Sequence, residues 1–224
     1  MTDASHRPAE GRGPRVRLPP LYPIIDVDLC RMRGLDPVAV ARACLRGGAR
    51  LLQVRQKGRE GGSAALLALV RDVIGAATPL DAAVIVNDRA DIAAMAGAAG
   101  VHLGQQDLPP AAARTIAGEG SIVGISTHTL EQIDDALRGP ADYLAIGPVF
   151  RTTTKETGYE PRGLAMVRYA AGRGKAVVAI GGVTAENAAA VRAAGADSIA
   201  VISDLLADRD LEARVRLLLG SLER

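Results

Sequence analysis

Residues 82–107, AAVIVNDRADIAAMAGAAGVHLGQQD, hold the fold in one repeat. An apolar run over 82–86 ends at Asn87 and Asp88, a helical pattern fills 88–96, and a second apolar run over 99–103 ends in Gln105, Gln106 and Asp107. Strand, helix and strand in that order call for a right-handed crossover between parallel strands. Both polar clusters therefore lie at the same, carboxyl end of the sheet.

The same order extends in both directions. Short apolar runs at 21–26, 50–54, 121–125, 142–146, 176–180 and 197–201 read as strands. Helical spacing marks 36–46, 63–77, 109–117, 129–138, 161–172, 184–194 and 203–219. Eight strands thus alternate with eight helices. Seven of the strands run into chemistry-bearing or small residues: Arg55 and Lys57, Asn87 and Asp88, Gln105 to Asp107, Ser126, Thr152 to Lys155, Gly181 and Gly182, and Ser203. Functional groups after nearly every strand are the layout of a (β/α)8, or TIM, barrel, α/β in class and a single domain. An open doubly wound sheet would gather them at one switch point. A weak repeat agrees: Gly48-Ala49-Arg50, Ala98-Ala99-Gly100, Pro140-Ala141-Asp142 and Gly195-Ala196-Asp197 enter the even-numbered strands.

Composition narrows the function. The chain has 224 residues, 48% hydrophobic but only 2% aromatic, so its core is built from Ala, Val, Leu and Ile. The formal net charge of +2 equals the excess of Arg7, Arg12, Arg15 and Arg17 over Asp3 and Glu10 in the first twenty residues. A neutral barrel almost without aromatic side chains argues against nucleic acid as a partner. No run reads as the roughly 20 apolar residues of a membrane helix, and the amino terminus lacks the apolar core of a secretory signal. Residues 1–20, rich in Pro and Arg, read as a disordered tail, with the barrel over 21–224. Cys30 and Cys44 have no metal-ligand or disulfide spacing, which fits a reduced cytoplasm.

Each candidate residue has a structural reading beside its chemical one. Gln53, Arg55 and Lys57 alternate, so they share one strand face, where Arg and Lys suit phosphate oxygens or simply solvent. Asn87, Asp88 and Asp107 precede helices and suit capping. Together, two acids on adjacent strands beside Arg55 and Lys57 suit magnesium, which is held by one or two carboxylates plus water and substrate phosphate. Ser126 sits on no nucleophile elbow and reads as a hydrogen-bond donor to an anion. His102 and His128 read equally well as structural. Thr152, Thr153, Thr154 and Lys155 are an unusual choice for a plain turn and a sensible one for gripping phosphate. Gly181, Gly182 and Ser203 offer bare amides and a helix start to a second anion, although a tight turn also uses such glycines. Two anion sites in one mouth, one metal-assisted and one not, suggest the joining of two phosphorylated small molecules.

In this order, Gln53-Val54-Arg55-Gln56-Lys57, Asn87-Asp88-Arg89, Val101-His102-Leu103-Gly104-Gln105 with Asp107, Gly124-Ile125-Ser126-Thr127-His128, Gly147-Pro148-Val149-Phe150 with Thr152 to Lys155, Ile180-Gly181-Gly182 and Val201-Ile202-Ser203 resemble the thiamine phosphate synthase family over residues 21–206. The resemblance implies a transferase of thiamine biosynthesis that couples hydroxymethylpyrimidine diphosphate to a thiazole phosphate, or its carboxylated form, and releases pyrophosphate. It implies that Gln53, Arg55, Lys57, Asn87, Ser126 and Lys155 bind the pyrimidine diphosphate, with Arg55, Lys57, Lys155 and Ser126 acting in catalysis. Asp88 and Asp107 would hold Mg2+, and Thr152, Thr153, Thr154, Gly182, Ile202 and Ser203 the thiazole phosphate. Gln56, Ala99 and Arg151 depart from the family's usual Glu, Asp and Pro. A thiazole tautomerase-like relative lacks the diphosphate and metal residues, and a phosphate-binding regulator needs no leaving-group apparatus. The sequence allows a homo-oligomer without requiring one.

Overall fold

A computed structural model of the chain describes residues 15–58, 60–151 and 160–223. Eight parallel strands close in sequence order: β1 (Leu21–Asp26), β2 (Leu51–Arg55), β3 (Ala83–Asn87), β4 (Gly100–Leu103), β5 (Ile122–Thr127), β6 (Tyr143–Ile146), β7 (Ala176–Ile180) and β8 (Ser198–Val201). Closure pairs Tyr22 of β1 with Ala200 of β8. All eight expected strands form, and the barrel is the expected one.

The strands sort their side chains with a period of two. Inward positions such as Tyr22, Ile24, Leu51, Ile85, Tyr143 and Val178 form one cluster inside the barrel. Outward neighbours such as Leu21, Ile25, Leu52, Val54, Val86 and Leu144 join a larger core beneath the helices. The interior is narrow enough to need glycine. A Cβ on Gly124 would overlap the Tyr143 ring, so Gly124 makes the space that the tyrosine fills.

Among the described residues, nine α-helices cover the outside: α1 (Val27–Met32), α2 (Pro37–Arg46), α3 (Gly62–Ala77), α4 (Ala90–Ala96), α5 (Pro110–Ala117), α6 (Leu130–Arg138), α7 (Gly163–Ala170), α8 (Ala188–Ala193) and α9 (Leu211–Leu222). Three differ from the sequence pattern. The short α1 is unexpected, and Asp26 starts it by accepting from the Leu29 amide at 3.0 Å. The helix expected at 203–219 breaks into a 3-10 turn at 204–206 and α9, because Asp210 caps the Ala213 amide at 2.9 Å and so begins a new helix. The segment 184–194 yields only α8, since Asn187 closes a turn by accepting from the Thr184 amide and donating to the Gly182 carbonyl.

Two other expectations meet different structure. Residues 15–20, assigned to the tail from composition, lie against the barrel: Val16 and Leu18 pack on the interior cluster and Arg15 pairs with Asp197. Gly62–Leu80, α3 with its following 3-10 turn, has the length and apolar composition of a membrane span, contrary to the reading that no run reaches it. Its buried Leu66, Val70, Val73 and Ala77 recur at helical spacing and pack into the main core, while Arg71 and Asp72 are exposed. That is the pattern of a barrel's outer helix.

The repeated turns acquire a physical role at the amino-terminal end. The Asp142 carboxylate accepts from the Val123 amide at 2.7 Å and from Arg114, and Asp197 accepts from the Val177 amide at 2.8 Å. Each aspartate thus ties the start of its own strand to the strand before it.

Candidate active site

The carboxyl ends of β1 to β4 assemble a charged half-site. Arg55 and Asp26 are register partners on β2 and β1, and their side chains form an ion pair. Beyond the end of β2, Lys57 pairs through its Nζ with Asp88. The loop carrying Lys57 is fixed by Asp28, whose carboxylate accepts from the Lys57 amide at 2.8 Å and the Gly58 amide at 2.9 Å.

Neither acid of the expected metal pair is a helix cap. Arg89 occupies the cap position of α4 and Pro109 that of α5, with no side-chain capping bond at either. Asp88 instead adopts φ 62, and its amide donates to the His102 carbonyl at 2.7 Å. Asp107 accepts from the Gly104 amide at 2.7 Å, which folds the β4 loop back on itself. The two carboxyls lie close enough to shift each other's protonation. Burial raises the Asp88 pKa, opposed by Lys57 and reinforced by Asp107. Burial works against ionisation of Asp107 too, but Asp88 and the hydrogen bond from the Gly104 amide, with Lys57 and His102 nearby, hold its pKa low.

This donor set fits magnesium. Two neighbouring carboxylates beside a lysine leave most coordination positions to water and phosphate, as Mg2+ prefers. Among the described residues, no group of three or more His, Cys, Asp or Glu is arranged to hold a metal. A metal site dependent on protein ligands alone therefore fits less well.

The other half of the mouth is a cradle lined mostly by small and apolar residues. A cavity is lined by His102, Ser126, Gly147, Gly182, Ile202 and Ser203, among others. The chain after β6 continues to pair with the end of β7, Val149 donating to the Ile180 carbonyl and Phe150 to that of Gly181, each at 2.9 Å. That close approach requires Gly182: its φ is 66, and a Cβ would stand 2.5 Å from the Arg151 oxygen and 2.8 Å from Phe150 Cβ. After β8, Asp204 also lines the cavity and is held by Arg214 through a 3.2 Å hydrogen bond from Nε.

Asn87 ends β3, beside Asp88 in the charged half. It is 7% exposed, and among the described residues its Nδ2 has no hydrogen-bond partner. A buried unsatisfied donor at the mouth is costly unless a ligand completes it. Gln53, also buried, donates to Tyr22 at 3.0 Å. His128 precedes the α6 cap, Thr129, rather than lying in the helix, and its Nδ1 is 2.6 Å from the Gly147 oxygen. Arg151 is exposed. Thr152, Thr153, Thr154 and Lys155 lie outside the described residues.

Sequence reasoning missed four contributors. Asp26 and Asp28 follow β1, the one strand whose end carried no assigned chemistry, although two acids at a barrel strand end are a readable signal. Tyr22 and Tyr143 carried none, because within apolar runs they read as core.

A family model described as thiamine monophosphate synthase matches residues 21–205. The chain belongs to that family. Among relatives of the family, a thiamine-phosphate synthase of Anaeromyxobacter dehalogenans is 45% identical, covering 90% of this chain and 86% of its own length. One from Methanospirillum hungatei is 42% identical over 88% of this chain and 94% of its own. A solved thiamine phosphate pyrophosphorylase from Pyrococcus furiosus superposes with a TM-score of 0.82 at 32% identity, covering 91% of this chain and 95% of that one. As a thiamine monophosphate synthase family member on a TIM barrel, the chain is a transferase of thiamine biosynthesis.

Proposed function

We propose that this protein couples the methylene carbon of hydroxymethylpyrimidine diphosphate to the ring nitrogen of a thiazole phosphate, releasing pyrophosphate. The observation that carries this reading is the proximity of Asp88 and Asp107 beside Lys57, with neither acid spent on a helix cap, across from a glycine cradle. One half suits a diphosphate with its cation, and the other suits a monophosphate.

Asp88 and Asp107 would hold Mg2+, which when bound neutralises charge on the departing pyrophosphate. Arg55, Lys57 and Lys155 grip the same oxygens, while Gln53, Asn87 and Ser126 orient the pyrimidine diphosphate by hydrogen bonds. The C–O bond breaks with its electron pair leaving on pyrophosphate, and the electron-rich aminopyrimidine stabilises the methylene cation. The thiazole nitrogen donates its free lone pair to that carbon, so no base is needed. Thr152, Thr153, Thr154, Gly182, Ile202 and Ser203 hold the thiazole phosphate, keeping the nucleophile in line. Electron-withdrawing groups on the pyrimidine should slow turnover; acceleration would exclude the cation. Two buried free thiols suit a reducing cytoplasm as the working compartment.

The direct test incubates purified protein with both substrates and magnesium and measures thiamine phosphate and pyrophosphate. Absence of both products overturns the reading. A finer expectation concerns Gly182→Ala. The new Cβ costs roughly 1–2 kcal/mol in left-handed backbone alone, and it crowds the Arg151 carbonyl. KM for the thiazole phosphate should rise about tenfold or more, with KM for the pyrimidine diphosphate changed far less. Equal changes in both would detach Gly182 from the thiazole side.

A further inference from the structure

Beneath the mouth, five side chains form one chain of hydrogen bonds across the barrel interior. Gln53 Nε2 donates to the Tyr22 hydroxyl at 3.0 Å, and Tyr22 and Tyr143 hydroxyls lie 3.1 Å apart. Tyr143 Oη is 3.0 Å from His102 Nδ1, and His102 Nε2 is 2.9 Å from Ser126 Oγ. The rings support the line: Tyr22 and Tyr143 meet edge to face at 6.2 Å, and His102 stacks on Tyr143 at 5.5 Å. Gly124 gives Tyr143 its room. The two tyrosines are wholly buried, and His102 nearly so.

One proton order gives every hydrogen along this chain a partner. Burial raises the pKa of both tyrosines, so each keeps its single hydroxyl hydrogen. Tyr22 accepts from Gln53, and in that order its own hydrogen is directed to Tyr143. Tyr143 has then accepted from Tyr22, and its hydrogen goes to His102 Nδ1. A ring nitrogen that accepts carries no proton, so in this order an imidazole with a single proton bears it on Nε2. That hydrogen goes to Ser126 Oγ. The Ser126 hydroxyl, already an acceptor, keeps its hydrogen for the cavity that it lines.

We propose that Tyr22, Tyr143 and His102 are positioning residues: they fix the direction of hydrogen bonding from Gln53 to Ser126, so that Ser126 presents a donor to the pyrimidine diphosphate. This rests on the reading above, which gives Gln53 and Ser126 to that substrate. Two substrate-binding groups on opposite sides of the barrel are then set by one choice, the orientation of the Gln53 amide. Turning the amide over reverses every bond and points the Ser126 hydrogen back at His102. Linked hydrogen bonds of this kind in a low-dielectric interior reinforce one another, which holds the chosen order.

Nitrogen NMR of the histidine rings tests the order directly. The chain has three histidines, His6, His102 and His128, and the His102 signals are assigned by their loss in His102→Gln. The expected result is a neutral ring protonated on Nε2. A ring protonated on Nδ1, or on both nitrogens, overturns the proposal. Tyr143→Phe keeps the stacking and removes the hydroxyl at the centre of the chain. It should release His102 into a mixture of tautomers and raise KM for the pyrimidine diphosphate roughly tenfold, the loss of about one well-made hydrogen bond. Its thermal midpoint, read in parallel, separates this from partial unfolding, which lowers active enzyme without raising KM. An unchanged KM, or an unchanged single tautomer, in Tyr143→Phe also overturns the proposal. The NMR result needs no turnover, so a wild-type protein that makes no thiamine phosphate fails the functional reading while leaving the tautomer assignment to be judged separately.

Discussion

Asp88→Asn is expected to lower kcat/KM by about 10²–10³-fold, the usual cost of losing electrostatic stabilisation of a developing anion, here through the cation that Asp88 would hold. Asparagine is the informative replacement because Asp88 sits at φ 62. Asn and Asp both tolerate that left-handed backbone, whereas alanine adds roughly 1–2 kcal/mol of strain. The Asn variant should therefore melt with the wild type while losing the charge, and alanine should lose both. Asp107→Asn should be comparably damaging, since its carboxylate lies beside that of Asp88. Both variants should require more magnesium for half-maximal rate. Combining them should cost much less than the product of the two single effects, because groups that serve one cation fail together. Wild-type rates and magnesium dependence in both single variants would remove the metal role from this pair.

Legibility followed periodicity. Each strand pairs a run of two-period inward and outward residues with helices at 3.6-residue spacing, and both periods are written in the sequence. What failed was local. Asp26 and Asp210 start helices through side-chain bonds to amides three residues on, and such capping competes with an apolar pattern that continues through it. In the site, the sequence placed Asp88 and Asp107 on neighbouring strand ends but left capping open. Only the backbone resolves that choice, because it puts Arg89 and Pro109 at the cap positions. The chain from Gln53 to Ser126 was not legible. Its members come from five different strands, β1, β2, β4, β5 and β6, and depend on how barrel closure brings inward positions together.

Gly100→Ala is the substitution expected to damage folding most. Gly100 pairs with Ile122 in the β4–β5 register, two residues before His102 pairs with Gly124. A Cβ at position 100 would overlap the Ile122 carbonyl oxygen and stand 2.7 Å from its carbon. The obstacle is backbone, so no rotamer change relieves it; β4 and β5 must part. Separation there strains ladder bonds and moves His102 and Ser126, which lie on those two strands. A clash of this kind belongs to the rare class that costs about 4 kcal/mol or more, equivalent to about 10 °C in midpoint for a chain this long. Gly75→Ala is the matched control. Gly75 is exposed within α3, its Cβ would meet nothing within 4 Å, and alanine there favours the helix by about 0.5–1 kcal/mol. Thermal melts should therefore move in opposite directions, down by about 10 °C for Gly100→Ala and up by about 1–4 °C for Gly75→Ala. A Gly100→Ala protein that melts with the wild type would mean that β4 and β5 do not approach this closely, and the His102–Ser126 bond that depends on their spacing would lose its support.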